Sequence, residues 1–372
     1  MTSPARATRA GRGAVSSLVC IGNLTIDEAV HDAPVVEAPG ALPGVLPAAA
    51  PGSLRDAALD ALPGTVPAAA HPGATGERIR SAPAMGGDAA YAALAARLNL
   101  ADVRMLAPIG TDLPGSFFDA LAAAGVTTAD LPHRALPTVR NVIDYFGDGT
   151  RRWNMLCSEA DFDALSVYPA DVPAWALDAD AILISAMSLE SQLALTPWLR
   201  ANSAATLYLD LQEDYLEGTR DALFGIIAAC DVFMPSEIEA RTLAETNDLT
   251  AAGRLFQSLG PGIVVIKRAE HGCLVFDGDT VTAVATAPID AVDSTGAGDA
   301  FCGAFAATHV QTGDAIEAAR AGAAAAAIAI SGFGIDALAA AAIEHVAPRE
   351  HVAPRDHVAP RDHVAHREVG AR

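Results

Sequence analysis

Short apolar runs that alternate with alanine-rich, helix-compatible stretches constrain this chain more than any other feature. The runs lie at 17–22, 181–185, 206–209, 232–234, 262–267 and 273–276, and the stretches at 89–98, 115–124, 191–202, 238–245, 298–309 and 314–330. A short run without polar alternation suits a strand buried on both faces, and the intervening helices supply the cover. The pattern predicts an α/β fold, a mostly parallel sheet held between two helical layers. Residues 139–146 and 151–156, joined by Gly147-Asp148-Gly149, read instead as a β-hairpin standing apart from that sheet as part of a small lid.

Three regions do not read as packed core: a polar leader over 1–14, an Ala/Pro/Gly-rich insertion over 36–75 with one short helix around 54–62, and a tail over 344–372. The tail repeats HVAPR(D/E), with histidines at His345, His351, His357 and His363 and prolines at Pro348, Pro354 and Pro360 that break regular structure. Histidines at that period suggest metal binding; an expanded disordered repeat is the simpler reading. The domain is expected over 15–343, its lid drawn from about 28–80 and 134–156. Arg6, Arg9 and Arg12 ahead of an apolar run resemble a signal peptide, but Asn23 and Asp27 follow at once and favour a first strand. No run is long and apolar enough for a membrane helix.

With 24 Lys+Arg against 45 Asp+Glu, the net charge is −21, which disfavours nucleic acid and anionic membranes as partners. Lys267 is the only lysine. Five scattered cysteines without a CxxC pair argue against a disulfide framework or zinc site and point to a reducing, cytoplasmic setting.

The segment 291–305, AVDSTGAGDAFCGAF, carries the strongest chemical signal. Gly296, Ala297 and Gly298 let the backbone turn tightly into a helix whose N-terminus favours anions. Asp299, in the first turn, is badly placed to rest beside phosphate and well placed to take a proton from an attacking hydroxyl. Asp293 and Thr295 supply oxygens for a cation. The late position and the two following helices argue against a dinucleotide fingerprint, and no Gly-Lys-Ser/Thr follows for a P-loop. A bare helix cap with a glycine turn remains the plain alternative for the four residues GAGD alone.

Further motifs give that segment its context. Asp293 through Phe301 resemble the D-T-x-G-A-G-D-x-F signature of the ribokinase-like (PfkB) carbohydrate kinases, with Ser294 in place of threonine. In the same family order come Gly22 to Asp27, Gly86-Gly87-Asp88, Gly110 to Gly115 with Ala124-Gly125-Val126, Asp231 to Glu239, and Val264 to Lys267 with Gly272. The resemblance covers most of residues 17–335. It implies a three-layer α/β/α sandwich with a β lid, and transfer of a phosphoryl group from ATP with Mg²⁺ to a hydroxyl of a small sugar.

By that resemblance Asp299 is the catalytic base, and Gly296, Ala297 and Gly298 form the anion hole. Asn23, Asp27, Gly86, Gly87 and Asp88 face the sugar, with Arg140 reaching in from the hairpin. Ser236, Lys267, Gly272 and Ala323 lie toward the nucleotide. Glu239 orders Mg²⁺ through water, and Asp293, Thr295 and Gly334 hold a monovalent cation such as K⁺. Tyr91 replaces an asparagine, Ser236 another, and Ala269 a glycine, so the substrate of ribokinase does not transfer directly. Two alternatives stand beside the sugar kinase. A nucleoside kinase needs an aromatic or apolar surface under the lid, for which Tyr91 and Phe146 are the nearby hints. A sugar-binding regulator would keep the fold without transfer. Family lids often pair, which implies a homodimer.

Overall fold

The structure, a computed structural model, describes residues 16–32, 78–146, 151–289 and 291–346. The 1–14 leader, the 36–75 insertion with its short helix, the 147–149 turn and the repeat beyond 346 lie outside the described residues.

The strands are β1 (Ser17–Ile21), β2 (Thr25–Asp32), β3 (Arg78–Arg80), β4 (Ala84–Gly86), β5 (Asp102–Leu106), β6 (Val126–Thr127), β7 (Val139–Tyr145), β8 (Arg151–Met155), β9 (Ala181–Ile184), β10 (Thr206–Leu209), β11 (Val232–Phe233), β12 (Ile263–Lys267), β13 (Cys273–Asp277) and β14 (Thr280–Val284). The helices are α1 (Asp88–Arg97), α2 (Gly115–Ala123), α3 (Glu159–Ala164), α4 (Ala174–Leu177), α5 (Leu189–Asn202), α6 (Arg220–Ile227), α7 (Glu237–Ala244), α8 (Leu249–Leu259), α9 (Ala297–Thr312), α10 (Ala315–Ala329) and α11 (Asp336–Val346).

The central sheet has nine strands in the order β14-β13-β12-β11-β10-β9-β1-β5-β6. It is parallel from β6 to β12, and β13 and β14 add an antiparallel edge. Alternation within β1 shows how the faces divide. Leu18 and Cys20 point into a core shared with α1, α9, α10 and α11, while Val19 and Ile21 point into one shared with α5, α6 and α8. The alanine content is used on the first face. A Cβ added at Gly303 of α9 would sit 2.0 Å from the Ala92 carbonyl oxygen of α1, so these two helices approach closer than larger side chains allow.

The sandwich and the antiparallel hairpin agree with the sequence expectation, while several elements were absent from it. The apolar run of strand β5 is interrupted by Arg104, which pairs with Asp102 and lies over Trp175. Strand β14 is a largely exposed edge, and α6, α8 and α11 lie outside the expected helical stretches. Helix α11 ends at Val346, so the first His-Val of the repeat is helical and the expected boundary at 343 falls inside the helix. The hairpin β7–β8 joins a separate sheet of order β3-β2-β7-β8, with β4 on β2. This lid begins at Thr25 rather than near 28.

Candidate active site

The carboxyl ends of the parallel strands and the inner face of the lid meet at a cavity of about 310 Å³. Ligand sites of open α/β sheets lie at that edge. Asn23 follows β1, Ala186 follows β9 and Gln212 follows β10, and all three line the cavity. The lid contributes Thr25, Val139, Asn141, Trp153 and Met155, and α3 contributes Phe162. Gly87, Asp88 and Tyr91 enter from the start of α1, and Ser294 through Asp299 from the start of α9. A larger surface hollow, about 510 Å³, lies beside Ile109, Phe118 and His133 and shares no residue with it.

The glycine loop is shaped by α1. Gly296 caps α9 with φ +72°, and a Cβ there would lie 2.3 Å from the Tyr91 ring, so both backbone sign and packing require glycine. The first-turn residues of α9 line the cavity, and the N–H groups of a first helical turn lack helical acceptors, with the helix dipole behind them. Asp299 lies in that turn. Burial raises its proton affinity, the Asp210 charge adds to the effect, and Lys267 with its own backbone N–H opposes it; the carboxyl titrates at about 6. A carboxylate poised there matches a general base working near neutrality.

Several buried polar atoms at the cavity have no hydrogen-bond partner among the described residues: Asn23 Oδ1, Asp88 Oδ2 and Tyr91 Oη. Asp88 accepts from the Asn23 N–H at 2.9 Å with its other oxygen, and burial followed by the Asp299 charge pushes its carboxyl well up. Unsatisfied groups buried together at one cavity are what a hydroxyl-bearing ligand completes.

Other predicted residues lie behind this wall. Asp27 accepts from Thr25 Oγ1 at 2.7 Å and from Asn141 Nδ2 at 2.8 Å, and Gly86 packs against its carboxylate. Burial lifts Asp27 to about 6, against those two hydrogen bonds. Arg140 does not reach into the cavity; it pairs with Asp112 at 2.9 Å. Ser236 and Glu239 form a reciprocal cap on α7, at 2.7 and 3.1 Å, which occupies both side chains. Burial and then Asp210 push Glu239 to about 8. Ala323 packs in the helical layer on α10, and Gly272 turns the chain between β12 and β13. Asp293 is buried and accepts from the Thr295 N–H at 2.9 Å, and its segment is pinned to the Ile330 carbonyl at the end of α10. Gly334 lies against Ala84 of the lid.

Lys267 departs furthest from expectation. It is not a free cation awaiting phosphate: its mostly buried Nζ lies 2.6 Å from Asp210 Oδ2 and 3.4 Å from Cys302 Sγ. Asp210 and Cys302 went unnoticed in the sequence, although Asp210 directly follows an apolar run and so stands at the same strand edge as Asn23. Phe146 is also misplaced as a wall of the site. It carries Arg78 and Arg152 over its ring, while Trp153 and Met155 line the cavity in its stead. Period-two alternation from the hairpin turn puts 153 and 155 on one face and would have found them.

A helix-sandwiched sheet with a glycine loop at its carboxyl edge and a detached β lid is the architecture of the ribokinases. Arabidopsis thaliana ribokinase, solved with ribose and ATP, superposes with a TM-score of 0.64 at 19% identity over 89% of this chain and 99% of that one. The nucleoside kinase of Methanocaldococcus jannaschii gives 0.64 at 15% identity, over 89% and 99%. A putative ribokinase II from E. coli, in complex with ATP and Mg²⁺, gives 0.62 at 22%, over 86% and 94%. The family model for pfkB family carbohydrate kinases matches residues 75–340, and the chain belongs to that family. Among curated relatives, cytidine kinase of Thermococcus kodakarensis is 32% identical over 231 residues, 60% of this chain and 80% of that protein. Deoxyribokinase of Salmonella typhi is 39% identical over 95 residues, 24% of this chain and 31% of that protein. The chain is thus a kinase of the sugar or nucleoside type. No helix among the described residues is long and apolar enough to cross a membrane.

Proposed function

We propose that this chain transfers the γ-phosphoryl group of ATP to a sugar hydroxyl of a nucleoside. The observation that carries the substrate is Trp153. It is 46% exposed on the inner face of the lid, beside Met155 at 37%, and both line the cavity whose floor holds Asn23, Asp88 and Tyr91. A large apolar side chain left open at a polar cavity suits the face of a base, and stacking of that kind contributes about 1–3 kcal/mol. The named activity of the Thermococcus relative supports the same reading.

Asp299 takes the proton of the attacking hydroxyl as its oxygen bonds to the γ-phosphorus and the bond to the ADP oxygen breaks. The Gly296–Gly298 amides receive the charge that develops on the transferring group. Among the described residues no cluster of three or more His, Cys, Asp or Glu side chains offers a ready metal site. Mg²⁺ would enter with the ATP phosphates, where it would supply charge neutralisation. The residues proposed for a monovalent cation, Asp293 and Thr295 with Gly334, carry no step here.

The test is phosphorylation of cytidine, inosine, ribose and deoxyribose by the full chain with Mg²⁺ and ATP, read as kcat/KM. We expect a nucleoside to exceed either free pentose by at least about tenfold, the equivalent of one stacked base. Preference for a free sugar reverses the substrate reading, and no turnover on any of them leaves a binding protein.

A further inference from the structure

The chain's single lysine lies beneath the anion loop. Its ammonium meets Asp210 at 2.6 Å and Cys302 at 3.4 Å, and a Cβ on Gly298 would come within 3.5 Å of it. Asp210 is itself fully engaged, with its second oxygen accepting the Leu211 N–H at 3.0 Å and the Cys302 thiol 3.3 Å from the first. A largely buried pair of this kind often adds no more to stability than apolar side chains of the same volume, so folding is weak grounds for keeping it. Its neighbours give stronger ones. Asp299 is faced by Asp88 and Tyr91 from α1, Asp210 from the end of β10, Lys267 from β12 and Cys302 from its own helix. Lys267 is the one cation in that set.

We propose that Lys267 is a positioning residue of the phosphoryl-transfer site: clamped by Asp210, its ammonium underlies the loop at Gly298 and sets one fixed positive charge behind the base Asp299. The inference rests on the reading of Asp299 as the base. Asp210 and Lys267 act on Asp299 in opposite senses, the first favouring its protonation and the second opposing it. Loss of one partner therefore moves the base in a direction that a purely structural pair would not produce.

The experiment is a pH titration of the full chain labelled at the aspartate carboxyl carbon and followed by NMR, without nucleotide. The Asp299 resonance is assigned by its loss in Asp299→Asn. In Lys267→Met its midpoint is expected to rise by about one pH unit or more, the effect of removing a near opposite charge. In Asp210→Asn it is expected to fall, and Lys267→Arg is expected to stay near the parent. A midpoint unmoved in both Lys267→Met and Asp210→Asn overturns the inference, even if both variants melt earlier. Should Lys267→Met fail to fold, Asp210→Asn decides by itself. Normal turnover in Asp299→Asn would instead remove the base and leave the measured coupling standing, so the two failures are distinct.

Discussion

Tyr91 ties two parts of the site together through one ring. Its face supports Gly296, and its hydroxyl is buried at the cavity without a partner among the described residues. An asparagine there, as the family resemblance suggests, would brace the loop with no ring and leave more room above it. Sequence reading identified the exception but could not say that the glycine loop leans on it, because that contact joins residues from opposite ends of the chain. Asp299 was legible for the opposite reason, since all of its functional context is local: a glycine turn, a helix start and a carboxylate in the first turn. Asp299→Asn keeps the shape of that turn and removes the proton acceptor. It should fold with an unchanged melting temperature or a higher one, because a neutral group replaces a buried carboxylate. Turnover should fall at least about a hundredfold. Wild-type turnover with Mg²⁺ and ATP would remove Asp299 from the mechanism.

Between α1 and α9 the closest approach sets Ala92 against Gly303, which lets two helix N-termini, each carrying a site carboxylate, arrive side by side. Gly303 is the tightest point of that seam, with backbone rather than a movable side chain facing it. Gly303→Ala should cost about 1–3 kcal/mol, the range for overpacking. A lower urea midpoint at unchanged slope checks it, and an unchanged midpoint would mean the helices separate freely. The same seam shows which elements a sequence discloses. Strands β1, β9, β10 and β12 were legible because burial on both faces leaves uninterrupted apolar runs. Strand β14 was not, because an exposed antiparallel edge has no such demand on it, and β5 was hidden by Arg104. The lid was legible as a hairpin over the substrate, but its inner wall is made by Trp153 and Met155 rather than by Arg140 or Phe146. The parallel pairing of β2 with β7, which aligns Asp27 with Asn141, joins residues more than a hundred positions apart.

At the scale of the molecule, the site is built at the expense of the free protein. Burial lifts Asp27 and Asp299 to about 6, Glu239 to about 8 and Asp88 well above its usual range. Each folded value exceeds the unfolded one, so between about pH 4 and 8 the folded chain holds more protons and stability falls as pH rises. At Asp112 burial is outweighed by the Thr138 N–H and Arg140, and at Glu237 by Arg268 and Arg241, so those carboxylates weaken the fold only below that window. His309, lowered by burial, works against the trend below about 6.5, one group against four. The nucleotide-free protein should therefore melt at a higher temperature near pH 5.5 than near pH 8, the two values lying inside the window of about 4 to 8. The reverse order would show that these carboxyls are not shifted. The net charge of −21 acts in the same direction, since acid reduces self-repulsion. One consequence lies outside catalysis. The chain's sole ε-amine is mostly buried and held between Asp210 and Cys302, so reagents that acylate lysines meet a single, hindered ε-amine on the molecule. Reaction at Lys267 has to compete with its ion pair to Asp210, which makes that one amine a chemical clock for loosening of the site.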